Sequence, residues 1–306
     1  MPQKESPLTR PPVVAALALL CCALWGSAFP CVKAGYRMLS VEGTGSQLLF
    51  AGCRFFLAGL LTLLLGGLAE RRVPRLPRSV IPAVIGQGLL QTTAQYVCFY
   101  ISLAHISGSR GSVLNATHAF FAILLAPLLV RGERITVRTA LGCLVGFAGV
   151  LVMNLTPGGQ GGFTWVGDGL MLLCAAVYGA SSVTLKRISG RATPAAITAW
   201  QLLAGSAVLI VLGLLAGGRL SGFTPASAAL LGYMALLSAA AFTIWAALLR
   251  HNPVGRIAVY GFCIPVFGVL FSAIFLHEQF ASVKNLLALL LVSAGVCLVN
   301  TRTRHA

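Results

Sequence analysis

The chain has 306 residues, of which 58% are hydrophobic and only 9% are charged, and its mean hydropathy is +0.90. A soluble domain carries about 25% charged residues, so this composition excludes a water-soluble globular protein and indicates one whose solvent is the lipid bilayer. The formal net charge of +16 would also suit a nucleic-acid partner, but the basic residues lie in short runs between apolar segments, so we expect no nucleic acid.

Ten apolar segments follow one another along the chain, each close to the roughly 20 residues that a helix needs to cross a bilayer. The first begins after Lys4 and Arg10 and continues past Trp25 without a cleavage motif, so we predict a membrane helix rather than a signal peptide. Because backbone groups in hydrocarbon must be paired within the segment, all ten are predicted to be helices. Their predicted bounds are 13–34, 46–69, 80–103, 109–130, 137–155, 167–185, 195–217, 226–249, 255–276 and 284–300.

The lysines and arginines are distributed unevenly between the two ends of these segments. If the N-terminus is cytoplasmic, sixteen of the 22 fall on the cytoplasmic side and five on the outer side, with Arg54 inside the second segment. Cytoplasmic loops of membrane proteins are enriched in basic residues. We therefore predict a multi-pass protein of the cell (inner) membrane with both termini in the cytoplasm.

The two halves of the sequence resemble each other. LWGSAFPCVK (24–33) aligns with VYGASSVTLK (177–186), and the fifth and tenth segments share a similar C-terminal pattern. Five helices are an odd number, so the second half must be inverted in the membrane, as in transporters that work by alternating access. A duplicated scaffold protein is the alternative, but short loops without a soluble domain favour transport. The predicted domains are a first repeat at 1–155, an outer linker at 156–166 and a second repeat at 167–306.

Three motifs recur in both halves in the same order. The first half has Trp25-Gly26-Ser27, Gly132-Glu133-Arg134 and the trio Gly146, Gly149 and Val150; the second has Tyr178-Gly179, His277-Glu278 and Ala294-Gly295-Val296. Over essentially its whole length the chain therefore resembles the ten-helix, EamA-type members of the drug/metabolite transporter superfamily. The resemblance implies export or exchange of small metabolites through a central cavity between the halves, without fixing the substrate.

One departure from the family pattern concerns helix four. First halves of such proteins often have a proline midway along it, where this chain has Phe120, whereas the second half keeps a proline at Pro265. The resemblance therefore implies a weaker break in this helix.

Polar side chains inside the apolar segments are candidates for substrate contacts, because facing lipid would be costly for them. Gln87, Gln91 and Gln95 are spaced by four residues and share one helix face, which predicts either interhelical hydrogen bonds or a wet cavity. Asn115 and His118 lie one turn apart and either pack between helices or contact a substrate or proton.

Arg54 is the charged residue at greatest depth, about 12 Å along the second segment. It is predicted either to contact the substrate or to snorkel to the interface. Gln201 occupies the matching place in the second half. The remaining candidates are aromatic residues, which can also serve in packing: Trp25, Tyr178, Trp245 and Tyr260.

All six acidic residues lie outside the middle of the predicted helices: Glu5, Glu42, Glu70, Glu133, Asp168 and Glu278. A transporter that exchanges cationic drugs for protons usually needs a buried carboxylate. The cavity is therefore predicted to be neutral to positive and to suit carboxylates, zwitterions or neutral metabolites.

These observations predict a secondary transporter, an exporter or exchanger of amino acids or related compounds. Multidrug efflux is the alternative, and a membrane-embedded enzyme is a third reading that would need clustered catalytic groups. The sequence has no Walker A motif and no CxxC pair, so we expect no cofactor, no metal and no enzymatic activity. It gives no indication of self-association.

The orientation can be tested by labelling single cysteines introduced into a cysteine-free variant with a membrane-impermeant reagent. We expect both termini and the 70–79 loop to react only from the cytoplasmic side and the 156–168 loop only from outside. Termini on opposite sides of the membrane would contradict the ten-helix count.

Overall fold

The computed structural model describes residues 6–106, 111, 114–154, 163–276 and 283–300. Ten helices and no strand occur within these ranges, which confirms the predicted all-α architecture of ten membrane helices. Their bounds are α1 Pro11–Met38, α2 Gly43–Glu70, α3 81–105, α4 Leu114–Leu129, α5 Val137–Asn154, α6 Trp165–Ile188, α7 Pro194–Leu215, α8 Pro225–His251, α9 254–276 and α10 Val283–Asn300.

Five of these helices, namely α1, α2, α6, α7 and α8, are each long and apolar enough on their own to cross a membrane. Large leucines such as Leu68, Leu128 and Leu215 are exposed on the outside of the bundle. Many polar side chains of the membrane helices, such as Gln91, His118 and Ser238, are buried inside it. This distribution is the one that lipid demands, because hydrocarbon solvates leucine and cannot hydrogen-bond an amide.

Three helices are interrupted. In α4 a turn at Thr117 separates residues 114–116 from His118–Leu129, so this helix is interrupted although it lacks a proline at Phe120. In α3 a π-helical turn, Leu89–Ala94, separates Ile81–Gly88 from Gln95–His105. In α9 a 3₁₀ turn, Val259–Phe262, separates Val254–Ala258 from Cys263–Leu276. Such irregular turns within long helices often coincide with functional sites.

The helix contacts follow the two-repeat pattern. In the first half α1 packs against α9 and α8, and in the second half its counterpart α6 packs against α4 and α3. Likewise α2 packs against α8, and α7 against α3. The remaining large interfaces join equivalent helices to each other, α2 to α7 and α5 to α10. Exchanging the halves therefore reproduces the packing, as expected for two inverted five-helix repeats.

A glycine permits the close approach at two equivalent helix crossings. A Cβ atom at Gly26 of α1 would lie 2.7 Å from the Cβ of Phe267 on α9, and one at Gly179 of α6 would lie 2.6 Å from the Cβ of Phe121 on α4. Both distances are too short for any larger residue. The pairing sets the register between the repeats, and it places Pro265 at the level of Ala119, one residue before the expected Phe120.

The Gly132-Glu133-Arg134 motif links the two repeats. Gly132 has a φ of +89° and reverses the chain after α4. The Glu133 carboxylate then accepts a hydrogen bond of 3.0 Å from the backbone N–H of Val254, the first residue of α9. It caps that helix and places negative charge at the positive end of its dipole. The matching His277-Glu278 lies outside the described residues.

Further polar contacts gather at the same end of the bundle. The Lys186 ammonium donates to the carbonyl oxygen of Asn252 at 2.8 Å, and the Asn252 amide donates to that of Leu8 at 2.8 Å. Arg256 donates to the Asn252 side-chain oxygen at 2.9 Å. Leu8 ahead of α1, the end of α6 and the α8–α9 connection therefore lie together.

The start of α6 differs from the prediction by two residues. The helix begins at Trp165 rather than 167, with the π turn Trp165–Gly169. Asp168 lies inside this turn, where its carboxylate accepts hydrogen bonds from the backbone N–H (2.7 Å) and the hydroxyl (3.1 Å) of Thr164. The carboxylate thus caps the helix from within its first turn.

Removing the Glu133 cap should destabilise the protein. We expect Glu133→Ala to lower the free energy of unfolding by about 1 kcal/mol, since it leaves the Val254 N–H without its acceptor, and Glu133→Gln to lower it less. Thermal unfolding in detergent, followed by tryptophan fluorescence, measures this. Glu42→Ala is the matched control at an exposed acid, and an equal loss in that variant would contradict the assignment.

Candidate functional site

A central cavity lies between the two repeats, near the middle of the helices. Side chains of α1, α2, α3, α4, α6, α8 and α9 form its wall. Its volume is about 40 Å³, enough for a few water molecules. The lining residues are Trp25, Ala28, Phe29, Arg54, Gln95, Tyr96, Phe99, Asn115, Tyr178, Phe242 and Ile264.

Arg54 is the charged residue of this wall, and its side chain is only 2% exposed. Its Nε donates to the Ser238 hydroxyl at 3.1 Å and to the carbonyl oxygen of Met234 at 3.3 Å. Nη2 donates to the Ser238 hydroxyl at 3.0 Å, and Nη1 to the Tyr100 hydroxyl at 3.3 Å. The guanidinium carbon lies 4.8 Å from the centre of the Phe55 ring. The side chain is therefore held inside the bundle and does not extend to the membrane interface.

No carboxylate balances this charge within the part of the chain that the structure describes. There the one ion pair joins Arg72 to Glu70, at 3.9 Å and far from the cavity. A guanidinium stays protonated in proteins, so neutral hydrogen-bond acceptors and an aromatic face alone offset the cost of burying this charge. The cavity consequently has a positive wall.

Aromatic rings form another part of the wall. The ring centre of Trp25 lies 5.5 Å from that of Phe242, 5.1 Å from that of Trp245 and 6.2 Å from that of Tyr178. The Tyr178 hydroxyl of this wall has no hydrogen-bond partner among the described residues, and neither has the Nε1–H of Trp245, which lies behind the wall. Buried tyrosine and tryptophan usually find one, so this wall can accept a polar partner as well as apolar surface.

His118 lies behind the Tyr178 ring, and Asn115, one turn before it on α4, lines the cavity. His118 stacks on Tyr178 with ring centres 4.4 Å apart, and its Nδ1 lies 2.8 Å from the carbonyl oxygen of Asn115. A carbonyl only accepts, so Nδ1 carries the proton and Nε2 is an acceptor, for which the described residues provide no donor. The imidazole fills the space that a Cβ at Gly261 would need.

The three glutamines of α3 contact different parts of the structure. Gln87 donates to the Gln91 side-chain oxygen at 2.8 Å and to the carbonyl oxygen of Ser181 on α6 at 2.9 Å, and it accepts from the Thr184 hydroxyl. Only Gln95 lines the central cavity. One end of the row therefore joins two helices, and the other faces the cavity.

Equivalent helix pairs are linked on opposite sides of the cavity. Gln87 and Thr184 join α3 to α6 toward the end of the bundle at which α1 begins. Toward the other end, the Ser27 and Tyr233 hydroxyls lie 2.7 Å apart and join α1 to α8.

Besides Gln87, Gln91 and His118, three further predicted site residues lie away from the cavity lining. Gln201 is fully buried in α7, and neither amide atom has a partner among the described residues. Trp245 lies behind Trp25. Tyr260 is buried in the 3₁₀ turn of α9, where its carbonyl oxygen accepts from the Cys22 thiol at 3.1 Å.

Sequence reasoning missed several residues at the site. Ser238 is the principal partner of Arg54, and its only signal was a hydroxyl in the middle of an apolar helix. The phenylalanines gave no signal, because a phenylalanine in a membrane helix is equally suited to lipid. They are Phe29, Phe99 and Phe242.

Comparisons with known proteins agree with this architecture. The chain is 28% identical to the uncharacterized transporter YvbV of Bacillus subtilis, over 98% of this chain and 95% of that one. It is 28% identical to a probable terminal-alkyne amino-acid exporter of Streptantibioticus cattleyicolor, over 91% and 90% of the two chains. It is 26% identical to a probable amino-acid metabolite efflux pump of Escherichia coli, over 90% and 91%.

A chain of known crystal structure shares the fold, with a TM-score of 0.77, 17% identity and coverage of 92% of this chain and 94% of that one. The sequence model of the EamA-like transporter family matches residues 13–155 and 165–301, one match in each repeat. These matches cover nearly the whole chain and all three recurring motifs. The protein therefore belongs to the EamA-like transporter family and is a multi-pass membrane transporter.

Proposed function

We propose that the protein is a secondary transporter of small carboxylate-bearing metabolites, such as amino acids and related compounds, that works by alternating access around the central cavity. The observation that carries the proposal is Arg54, a buried permanent cation in the cavity wall with no carboxylate partner in the described structure. We assign the protein no catalytic activity.

The guanidinium retains capacity for a ligand. Of its five N–H donors, the described hydrogen bonds use one each on Nε, Nη1 and Nη2, which leaves two. Its planar fork matches the two oxygens of a carboxylate. Removal from water weakens solvent screening, so a carboxylate entering the cavity would gain a strong interaction.

The rest of the wall suits the remainder of such a molecule. Gln95 presents a buried side-chain oxygen without a partner in the described structure, and Asn115 lines the same cavity. Both can accept hydrogen bonds from a substrate amine or amide. Aromatic rings around Trp25 can bury an apolar side chain. Two relatives bear names that refer to amino-acid export and amino-acid metabolite efflux, which supports this substrate class and the outward direction.

The central cavity is narrow in the present conformation. A cavity of about 40 Å³ is too small for an amino acid, which is several times larger than a water molecule. In alternating access the cavity opens to one side at a time as the repeats move against each other. The Gln87–Thr184 and Ser27–Tyr233 links are the contacts that such motions would separate.

Multidrug efflux is the less favoured alternative. A lipophilic cation would approach Arg54 without a buried carboxylate among the cavity-lining residues to offset the repulsion.

The substrate class can be tested with purified protein in liposomes. Uptake is measured for labelled L-threonine, L-leucine, L-phenylalanine and L-glutamate, with and without an imposed pH gradient. N-acetyl-L-leucine and N-acetyl-L-leucinamide form a matched pair that differs in the carboxylate, and tetraphenylphosphonium represents cationic drugs. Uptake of tetraphenylphosphonium without any of the carboxylates would favour multidrug efflux instead.

Arg54→Gln should weaken transport of carboxylates far more than that of the neutral amide. The expected loss is roughly 1.5–3 kcal/mol, as for a hydrogen bond to a charged group, which corresponds to about a 10- to 150-fold fall in kcat/KM. Arg54→Lys should restore only part of it, because lysine keeps the charge and lacks the fork. Rates are normalised to folded protein, with exposed Arg37→Gln as control. If both Arg54 variants only reduce protein abundance, the residue is an anchor and the proposal fails.

A further inference from the structure

A second cavity lies between α3 and α6, toward the end of the bundle at which α1 begins. Its volume is about 310 Å³, within the range of small-molecule sites. Gln87 and Thr184 line its inner part, and Arg187 and Arg191 its outer part. We call this cavity the vestibule. It is much larger than the central cavity, and the charge distribution of the sequence predicts that it faces the cytoplasm.

The polar lining of the vestibule is basic. No acidic residue lines it. Within the described structure the Arg187 and Arg191 guanidiniums have neither an ion pair nor a side-chain hydrogen bond, although other cations at this end do, such as Lys186 and Arg256. Two free guanidiniums over a cavity of this size form a local positive potential that attracts organic anions.

The floor of the vestibule leads toward the central cavity. Gln87 lines the vestibule and Gln95 lines the central cavity, and Gln91 lies between them on the same helix. Gln91 is 1% exposed, and its Nε2 has no partner in the described structure, like the Oε1 of Gln95. Unpartnered amide atoms are costly in a buried place, which points to a partner that is present only during part of the cycle.

The geometry of α3 keeps Gln87, Gln91 and Gln95 on one face of the helix. In a regular α-helix a spacing of four residues overshoots one turn, so successive side chains drift around the axis. The π turn Leu89–Ala94 contains Gln91 and holds more residues per turn, which offsets the drift. The irregularity therefore lies at the step between the two cavities.

From these observations we propose that the vestibule is a second binding site, for the carboxylate group of a substrate in transit. Arg187 and Arg191 bind the carboxylate first. Gln87, Gln91 and Gln95 then offer successive amide contacts on the way to Arg54. The Gln87–Thr184 link closes this route in the present conformation. The identity of the ligand as substrate rests on the proposed function, whereas the site itself does not.

Binding at the vestibule can be measured without turnover. The full-length protein in phosphatidylcholine nanodiscs is treated with the arginine reagent phenylglyoxal, and modification is followed by peptide mass spectrometry. Sodium acetate is the carboxylate probe, and sodium chloride at equal ionic strength is the control. We expect acetate to slow modification of Arg187 and Arg191 several-fold more than chloride does, and to leave exposed Arg75 unchanged.

Two results of this experiment would overturn the site. Equal protection by acetate and chloride would mean that salt only screens the arginines. Protection that requires phosphatidylglycerol in the nanodiscs, with no effect of acetate, would mean that the arginines hold a lipid phosphate.

Transport kinetics test whether the site lies on the route. Arg187→Gln combined with Arg191→Gln should raise KM about three- to ten-fold, as for screened surface charges. The substrate is the L-amino acid taken up fastest in the screen above. The effect should occur only for transport from the vestibule side, compared in right-side-out and inside-out vesicles, with kcat unchanged. The matched control is Arg75→Gln with Arg78→Gln. An unchanged KM, or an equal rise from both sides, would refute the route.

Gln91→Leu tests the row of amides. We expect kcat to fall about ten-fold, as for one lost hydrogen bond, with acetate protection at the vestibule unchanged. Gln47→Leu is the control, because Gln47 is also a buried glutamine with an unpartnered oxygen in the described structure, and it lines neither cavity. Thermal unfolding checks that both variants fold. An equal kcat in the two variants would exclude a role for the α3 glutamines in transport.

The two proposals can fail separately. If Arg54→Gln leaves carboxylate transport unchanged while acetate still protects Arg187 and Arg191, the proposed function fails and the vestibule site stands. If Arg54→Gln abolishes transport and acetate gives no protection, the vestibule site fails and the proposed function stands.

Discussion

Arg54 carries a permanent positive charge into the middle of a bundle that is surrounded by hydrocarbon. Lipid can neither hydrate nor screen this charge, so the surrounding helices must do so. They provide the Ser238 hydroxyl from α8, the Tyr100 hydroxyl from α3 and the face of Phe55, but no described carboxylate. The contacts draw α2, α3 and α8 together around the central cavity. They also leave the charge available to an anion from outside, so structural support and substrate recognition come from the same group.

The helices and their repeat could be predicted from the sequence because lipid imposes strong rules on length and composition. The paired glycines Gly26 and Gly179 were visible as aligned motifs, and the structure places both at equivalent crossings. Contacts between distant side chains could not be predicted. Ser238 is one hydroxyl among many, and its pairing with Arg54 exists only after α2 and α8 pack. Similarly, the spacing of the α3 glutamines predicted a common face but not that its two ends reach different cavities.

The two repeats have the same backbone fold but carry different side chains at equivalent positions around the cavity. Arg54 in α2 has Gln201 as its counterpart in α7. The register set by the glycine crossings gives His118 the position that Ile264 takes in the other half. The charged and titratable groups around the centre thus come mainly from the first repeat, while α8 of the second repeat contributes Ser238 and Phe242. Duplication provided a symmetric scaffold, and the site depends on the departures from that symmetry.

The equivalent contacts between α3 and α6 and between α1 and α8 also differ, in the number of hydrogen bonds. Gln87 bonds both Ser181 and Thr184 across the α3–α6 interface, whereas Ser27 and Tyr233 share a single hydrogen bond across α1–α8. For perfectly symmetric repeats the two open conformations would have equal free energies. Here an imbalance of one hydrogen bond, about 1 kcal/mol, would favour one of them about five-fold. In the proposed cycle the empty transporter would then rest with its vestibule side shut and open more readily toward the opposite face. The protein would then favour opening to one side of the membrane even in the absence of a substrate or ion gradient.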